Sequence, residues 1–168
     1  MGACSSLPPR VSERPVAAIA DFRSTPLDAI TRKVLPGNEQ ADDRSGFQLL
    51  PYGPTSFATR IELAKLATRS LDVQYYLLAA DNTGRALMRE LRDAAQRGVR
   101  VRLLVDDLYT TGEDELLLAL ASYPNVQVRL FNPFPGGRGS DLTRFISSGL
   151  EFSRINRRMH NKLFVADN

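Results

Sequence analysis

The sequence has one cysteine, one histidine and no tryptophan among its 168 residues. A single cysteine excludes an intrachain disulfide framework and a zinc site made of several cysteines. A single histidine likewise excludes a histidine-rich metal site. No apolar run approaches the roughly 18–20 residues that a membrane-spanning helix needs. Any contact with a membrane is therefore expected to be peripheral or to be made through an anchor.

The composition that remains is that of a globular protein. Hydrophobic residues make up 43% of the chain and charged residues 24%, and the length suffices for one domain with a buried core. The 22 lysines and arginines exceed the 19 aspartates and glutamates, for a net charge of +3. This mild excess is compatible with an anionic partner, but it does not distinguish nucleic acid from phospholipid.

Residues 1–45 differ in pattern from the rest of the chain. They are rich in proline and polar residues and show little periodicity, which is typical of a flexible leader or linker. A short helix is predicted near Leu27–Lys33. From residue 46 onward the pattern becomes regular, so one domain is predicted over 46–168. The prolines of the leader are Pro8, Pro9, Pro15, Pro26 and Pro36.

The first residues, Met1–Ser6, support three interpretations. Gly-Ala-Cys-Ser-Ser resembles the end of a bacterial lipoprotein signal, in which Cys4 would be lipidated, although the hydrophobic stretch that should precede it is missing. The same residues match the N-myristoylation pattern, with Cys4 adjacent. In the third interpretation Cys4 is unmodified. A single acyl chain would hold the protein only weakly at a membrane.

Strand and helix patterns alternate through the predicted domain. Helices are expected from a cap at Thr55 or Ser56 to about Arg69, from a cap at Asn82 or Thr83 to Gly98, over Glu113–Ala121 and around Leu142–Ser153. Strands are expected at Leu71–Leu78, Val99–Val105, Val126–Phe131 and Lys162–Ala166. This order predicts an α/β domain with a largely parallel sheet flanked by helices. Because the sequence stops at the last strand, we expect the domain to be incomplete at its C-terminus.

Reactive side chains are concentrated near the end of the chain. On a strand alternate residues share a face, so His160 and Lys162 are predicted to point the same way. Leu163 and Val165 then point the other way, into the core. An imidazole beside an ammonium suits a phosphate, because the lysine neutralises oxygen charge while the histidine attacks phosphorus. Asp167 has the opposite parity, which favours an orienting or structural role. The whole cluster is Arg154, Arg157, Arg158, His160, Lys162 and Asp167.

Less specific interpretations of these residues stay open. A lone histidine at the start of a strand is commonly a surface residue, and a basic run such as Arg154–Arg158 is commonly a solvated face. Asp106 and Asp107, at the end of the second predicted strand, are commonly a turn or helix-cap pair. Functional residues do gather at the carboxyl ends of parallel strands. Residue chemistry alone leaves the phosphate site undecided.

The segment His160–Asp167 resembles the His-x-Lys-x(4)-Asp motif of the phospholipase D superfamily. The sequence around it is similar to the bacterial cardiolipin synthase C-like branch. The matching flanks are Ser45–Leu50, Ser70–Tyr76, Gly98–Asp107 and Arg154–His160. The resemblance extends from about Ser45 to Asn168, and it implies a phospholipase D-like α/β/α sandwich that stops after its first catalytic motif.

The resemblance also implies roles for single residues. His160 would be either the nucleophile that forms a phosphohistidine or the acid and base that serves the leaving and attacking alcohols. Lys162 would bind the phosphoryl oxygens, and Asp167 would complete the motif. The family reaction uses no metal and no cofactor, and two motifs face each other in one site, supplied by two halves of a chain or by a dimer partner. Further contacts to substrate phosphate are expected from Arg157, Arg158 and Asn168.

The activity that the resemblance implies is phosphatidyl transfer, making cardiolipin from phosphatidylglycerol and a second phospholipid, for instance phosphatidylethanolamine. Such a protein would work at the bacterial cell membrane or envelope, bound peripherally or by a lipid anchor, and nucleic acid is not the expected partner. Two alternatives remain. One is a phospholipase D or a phosphodiesterase or nuclease of the same superfamily. The other is a catalytically incomplete domain that binds anionic lipid. A second motif beyond Asn168 would favour an enzyme.

Overall fold

The computed structural model describes residues 16–21, 23–34, 45–110, 112–134, 142 and 152–167. Cys4, Asn168 and most of the helix expected around Leu142–Ser153 lie outside these residues. Within them, no helix combines the length and the apolar character that crossing a bilayer requires. The helices are α1 Pro26–Val34, α2 Gly53–Leu66, α3 Asn82–Gln96, α4 Asp114–Ala121 and α5 Phe152–Ile155. The strands are β1 Ser70–Tyr75, β2 Arg100–Asp106, β3 Val126–Phe131 and β4 Leu163–Ala166.

The four strands form one sheet in the order β3-β2-β1-β4. β1 and β2 are parallel, with Leu71 opposite Val101, and β3 adds to β2 in the same direction. β4 is antiparallel to β1, with Val73 opposite Phe164. The α/β class with a largely parallel sheet flanked by helices is confirmed, with one antiparallel strand at its edge. Because β4 is antiparallel to β1, it begins at the edge of the sheet where β1, β2 and β3 end.

The hydrophobic core lies between the sheet and α2, α3 and α4. Alternate residues of β1 and β2 point into it, as expected for strands that cross over through helices packed on the sheet. Burial of this apolar surface is the main stabilising contribution to the fold. The largest fully buried apolar side chains are Leu71, Leu91, Leu103, Val73, Val99, Val101 and Val105.

The opposite face of the sheet is polar. Asp72 on β1 and Arg102 on β2 lie directly opposite each other in the strand register and form an ion pair. Arg102 also donates to the backbone carbonyl of Val16 at 2.9 Å, and Arg100 donates to the carbonyl of Ala17 at 2.9 Å. The short stretch 16–20 is therefore held against this face by arginines of β2.

Two predicted helix caps are wrong by one to four residues. α2 starts at Gly53 with Tyr52 as its N-cap and without a side-chain cap bond, not at Thr55 or Ser56, because Pro54 is favourable in the first turn of a helix. α3 is capped by Asp81, which accepts from the Gly84 N–H at 2.8 Å, not by Asn82 or Thr83. The sequence offers several capping residues in a row, and only the backbone path selects one.

The two ends of α3 each need glycine. A Cβ on Gly84 would lie 1.8 Å from the carbonyl oxygen of Ala79, so only glycine lets the loop after β1 pass this close. Gly98 follows the helix with a φ of 92°, a left-handed conformation that glycine adopts without steric cost. The prediction that Gly98 ends this helix is confirmed.

The predicted orientation of β4 is wrong. Phe164 and Ala166, not Leu163 and Val165, pack against the core, and Leu163 is 43% exposed. The register is the reason, because Phe164 lies opposite buried Val73 on β1. A strand of four residues carries apolar side chains on both faces here, so its pattern does not show which face is buried.

Candidate active site

The motif residues His160 and Lys162 lie at the carboxyl edge of the sheet. They precede β4 rather than belonging to it, since the strand begins at Leu163, and both are exposed. Strand parity therefore does not set the directions of these two side chains, contrary to the prediction. They are nevertheless brought together, because both contact the ring of Tyr76, the residue that directly follows β1.

The contacts around Tyr76 place a cation and an imidazole side by side. The rings of Tyr76 and His160 have centroids 4.4 Å apart and planes inclined by 35°. The ammonium of Lys162 lies 5.6 Å from the centroid of the same ring, within the range of a cation–π interaction. Lys162 also donates to the backbone carbonyl of His160 at 2.9 Å. An ammonium has three donor hydrogens, so this bond leaves capacity for a ligand oxygen.

Asp167 lies at the other end of β4, away from this pair. Its carboxylate accepts from the backbone N–H groups of Thr68, Arg69 and Ser70 at 2.7–3.1 Å and from the Thr68 hydroxyl at 3.2 Å. The side chain is only 5% exposed. The geometry supports the predicted orienting role. The length of β4 explains the separation, since strand parity does not extend to His160 and Lys162. Four residues of β4, each rising about 3.4 Å, separate Asp167 from the exposed pair.

Asp167 also adopts an unusual backbone conformation. Its φ is 56°, in the left-handed region that aspartate and asparagine tolerate better than most residues. Its N–H donates to the carbonyl of Ser70 at 2.8 Å. The last residue of the motif thus ties the end of β4 to the start of β1, which fixes the position of the whole strand.

The segment before the motif is held by Asp106 at the end of β2. Asp106 is fully buried. Its Oδ2 accepts from the N–H of Met159 at 2.9 Å, and its Oδ1 accepts from Arg158 at 3.1 Å and from the Leu108 N–H at 2.9 Å. The turn-and-cap interpretation of Asp106 is therefore part of a larger arrangement, in which one carboxylate positions the backbone next to His160.

Of the three residues predicted to contact substrate phosphate, one is mostly buried, one is exposed and one lies outside the described residues. The side chain of Arg158 is 9% exposed and paired with Asp106, and its guanidinium carbon lies 4.5 Å from the centroid of the Phe134 ring. Arg158 is thus an internal cation in this structure. Arg157 is exposed near the motif, whereas Asn168 lies outside the described residues.

Asn132 and Asp107 hold the loop that follows β3. Asn132 has a φ of 48°, and its amide nitrogen donates to the carbonyls of Arg154 and Arg157, both at 2.7 Å. Asp107 accepts from the N–H of Phe134 at 2.8 Å. The basic run is therefore anchored to the carboxyl ends of β2 and β3, and it is not merely a solvated face.

Sequence reasoning missed Tyr76 as a site residue and treated it only as part of a strand. Tyr76 also meets Tyr109 edge-on, with centroids 5.3 Å apart and planes at 90°. The hydrogen bond with Tyr109, together with partial desolvation, raises the pKa of the Tyr76 hydroxyl. The available signal was position, because Tyr76 lies near the carboxyl end of the predicted strand Leu71–Leu78 and Tyr109 follows the end of the predicted strand Val99–Val105.

Comparison with known proteins identifies close relatives. The family model described as cardiolipin synthase, phospholipase D-like domain, matches residues 60–168. Cardiolipin synthase C of Escherichia coli (strain K12) is 47% identical over 141 residues, 84% of this chain and 29% of that protein. An uncharacterized protein of Helicobacter pylori (strain ATCC 700392 / 26695) is 32% identical over 94% of this chain and 30% of its own length. A cardiolipin synthase of Staphylococcus aureus (strain Mu50 / ATCC 700699) is 29% identical over 68% of this chain and 21% of its own length.

Proposed function

Because the chain belongs to the family of cardiolipin synthases with a phospholipase D-like domain, we propose that it supplies one half of the active site of a phosphatidyltransferase. The substrates proposed are phosphatidylglycerol and a second phospholipid, and the product is cardiolipin. The observation that supports the proposal most directly is the exposed pair His160 and Lys162, held together on Tyr76. The chain spans 29–30% of the length of the two first-named relatives. The activity and the substrates of the whole protein are therefore part of this proposal.

The proposed reaction has two steps at one phosphorus. In the first, an imidazole nitrogen attacks the phosphorus of the donor lipid, which is the second phospholipid or another phosphatidylglycerol; a nitrogen–phosphorus bond forms, and the bond to the head-group oxygen breaks as that oxygen takes a proton from the second motif histidine. In the second, a hydroxyl on the glycerol head group of phosphatidylglycerol attacks the phosphorus, gives its proton to the second motif histidine and displaces the first histidine. One phosphodiester is lost and one is formed, so no oxidant or external energy source is needed. His160 is either the attacking imidazole or the acid and base that serves the two alcohols.

Lys162 would stabilise the charge that builds on the non-bridging oxygens during both steps. Its ammonium lies at the exposed edge of the sheet and carries donor hydrogens that no described residue takes up. A positive group aimed at the place where charge develops lowers the barrier more than it tightens ground-state binding. The nearby Arg157 is exposed, and we include it as a further contact to the lipid phosphate. The side chain of Arg158 is mostly buried and pairs with Asp106, so it would help to position the backbone before His160 instead of contacting the phosphate.

The second motif histidine would come from outside this chain. The sequence carries one histidine, and the proposed mechanism uses two. We propose that sequence continuing this chain, or a second copy of the protein, completes the site at the edge where His160 lies exposed. Localisation follows from the substrates, and we propose peripheral binding to the bacterial envelope, with Cys4 as a candidate lipid anchor.

The isolated 168-residue chain is expected to show little or no transfer, because it offers one histidine where two are required. The measurement is cardiolipin formation from phosphatidylglycerol vesicles, with and without phosphatidylethanolamine, compared with the whole protein, meaning this chain together with any sequence that continues it. Robust turnover by a demonstrated monomer of the isolated chain would contradict the two-histidine mechanism. Release of phosphatidic acid by the whole protein without cardiolipin would show a hydrolase instead.

Replacing Lys162 with alanine in the whole protein is expected to lower kcat by about 10²–10³-fold, the usual effect of removing one preorganised donor to an oxyanion. Lys162→Arg should recover only part of this loss, because a planar guanidinium does not present its charge as a compact ammonium does. Lys65→Ala is the matched control, since Lys65 is a solvent-exposed lysine on α2, paired with Glu62 at 2.8 Å. Equal losses of kcat in Lys65→Ala and Lys162→Ala would contradict a role for Lys162 in binding the phosphoryl oxygens.

A further inference from the structure

Tyr76 is the point at which the two exposed motif side chains meet. His160 lies outside the regular strand, and among the described residues its imidazole has no hydrogen-bond partner. Its defined contact is the face of the Tyr76 ring, at 4.4 Å between centroids. Lys162, the residue directly before β4, reaches the same ring at 5.6 Å. A side chain with no polar partner takes its orientation from what it packs against, and here that is Tyr76.

The ring itself is fixed from a second direction. Tyr109 packs edge-on against it at 5.3 Å, and Tyr109 ends the short 3₁₀ turn Asp107–Tyr109. The residue that caps this turn is Asp106, the same carboxylate that accepts from the N–H of Met159. One turn therefore positions both the aromatic surface and the backbone that carries His160. The Tyr76 ring is thus contacted both by Tyr109 and by the two motif residues.

From these contacts we propose that Tyr76 is a positioning residue, whose ring holds the His160 imidazole and the Lys162 ammonium in register for one phosphate. The ring acts through its π-face, which attracts the lysine cation and packs against the imidazole. The hydroxyl serves the contact with Tyr109 and takes no part in the chemistry. This inference rests on the proposed transferase activity for its kinetic consequence, but the packing it describes can be measured without turnover.

Three variants of the whole protein separate the ring from the hydroxyl and from general stability. Tyr76→Leu removes the aromatic face, and Tyr76→Phe keeps it. Tyr123→Leu is the matched control, because Tyr123 is also a partly buried aromatic residue next to the core. It lies just before β3, at the opposite end of the strands. Cardiolipin formation gives kcat and KM for each variant. The rate at which diethyl pyrocarbonate modifies the peptide containing His160 reports, by mass spectrometry, how well the imidazole is held.

Tyr76→Leu is expected to lower kcat by about 10–100-fold, the usual effect of a misplaced reacting group, with a smaller change in KM. It should also raise the modification rate of His160 severalfold. Tyr76→Phe should recover most of both properties, and Tyr123→Leu should change neither beyond about twofold. Two results would overturn the inference. One is a His160 modification rate in Tyr76→Leu equal to that of the wild type. The other is a Tyr76→Phe variant as impaired as Tyr76→Leu. Absent turnover in the wild type would refute the transferase proposal, while the modification rates would still decide the role of the ring.

Discussion

Replacing His160 with alanine in the whole protein is expected to abolish phosphatidyl transfer, lowering kcat by a factor on the order of 10⁴ or more. Losses of this size are usual when a nucleophile or its acid–base partner is removed from a site that acts as a unit. In the described structure no other imidazole is present to substitute, since this sequence has one histidine. The side chain is exposed, so its removal leaves no cavity in the core and the fold should persist.

The measurement is cardiolipin formation from phosphatidylglycerol vesicles, accompanied by a thermal melt. Asn161→Ala is the matched control, because Asn161 is the exposed neighbour of His160 and makes one 3.3 Å hydrogen bond, to Gln74. Transfer within tenfold of wild type by a folded His160→Ala protein would contradict any direct role for this histidine. An activity lost together with the melting transition would instead assign His160 to the fold.

A second measurement on the same variant decides which of the two histidine roles His160 has. A phosphatidyl ester of p-nitrophenol has a leaving group that needs no proton. If His160 is the acid and base, His160→Ala should still release p-nitrophenol from this substrate and accumulate the phosphohistidine on the other motif. If His160 is the nucleophile, release should be lost as completely as with phosphatidylglycerol.

Replacing Asp167 with alanine is expected to destabilise the protein by about 3–5 kcal/mol. The change leaves the backbone N–H groups of Thr68, Arg69 and Ser70 without their acceptor, the Ser70 group buried and the other two partly buried. Each buried donor that loses its partner costs about 1–3 kcal/mol, and the bonds lost here are to a charged acceptor. It also places alanine at a φ of 56°, which is unfavourable for a residue that cannot bond its own backbone.

Asp167→Asn should lose less, about 1–2 kcal/mol, because the amide keeps one acceptor oxygen and tolerates the same φ. Denaturant unfolding of both variants measures these losses, and turnover per folded molecule shows the effect on chemistry. Asp93→Asn is the control, since Asp93 forms a solvent-exposed ion pair with Arg92, and it should change the unfolding free energy by less than about 0.5 kcal/mol. An Asp167→Asn protein with unchanged stability and no activity would place Asp167 in the reacting part of the site.

The sequence by itself determined the fold class, the approximate position of each strand and the residues of the motif. Strand and helix periods, and a glycine such as Gly98 that only a left-handed turn explains, are local properties of the chain. The pair His160 and Lys162 could be singled out for the same reason, because two residues apart is a short distance in any extended segment. Local patterns did not show which face of β4 is buried, because its four residues are apolar throughout.

Only the tertiary structure decided what stands around the motif. Asp106 and Met159 are 53 positions apart in the chain, and the Thr68 N–H and Asp167 carboxylate are 99 apart. No pattern of composition or period carries information about such pairs. The antiparallel pairing of β4 with β1 brings them together, since it turns the start of the motif toward the carboxyl ends of β1 and β2 and its last residue toward the opposite edge. That one choice of strand direction puts His160 on Tyr76 and buries Asp167 away from it.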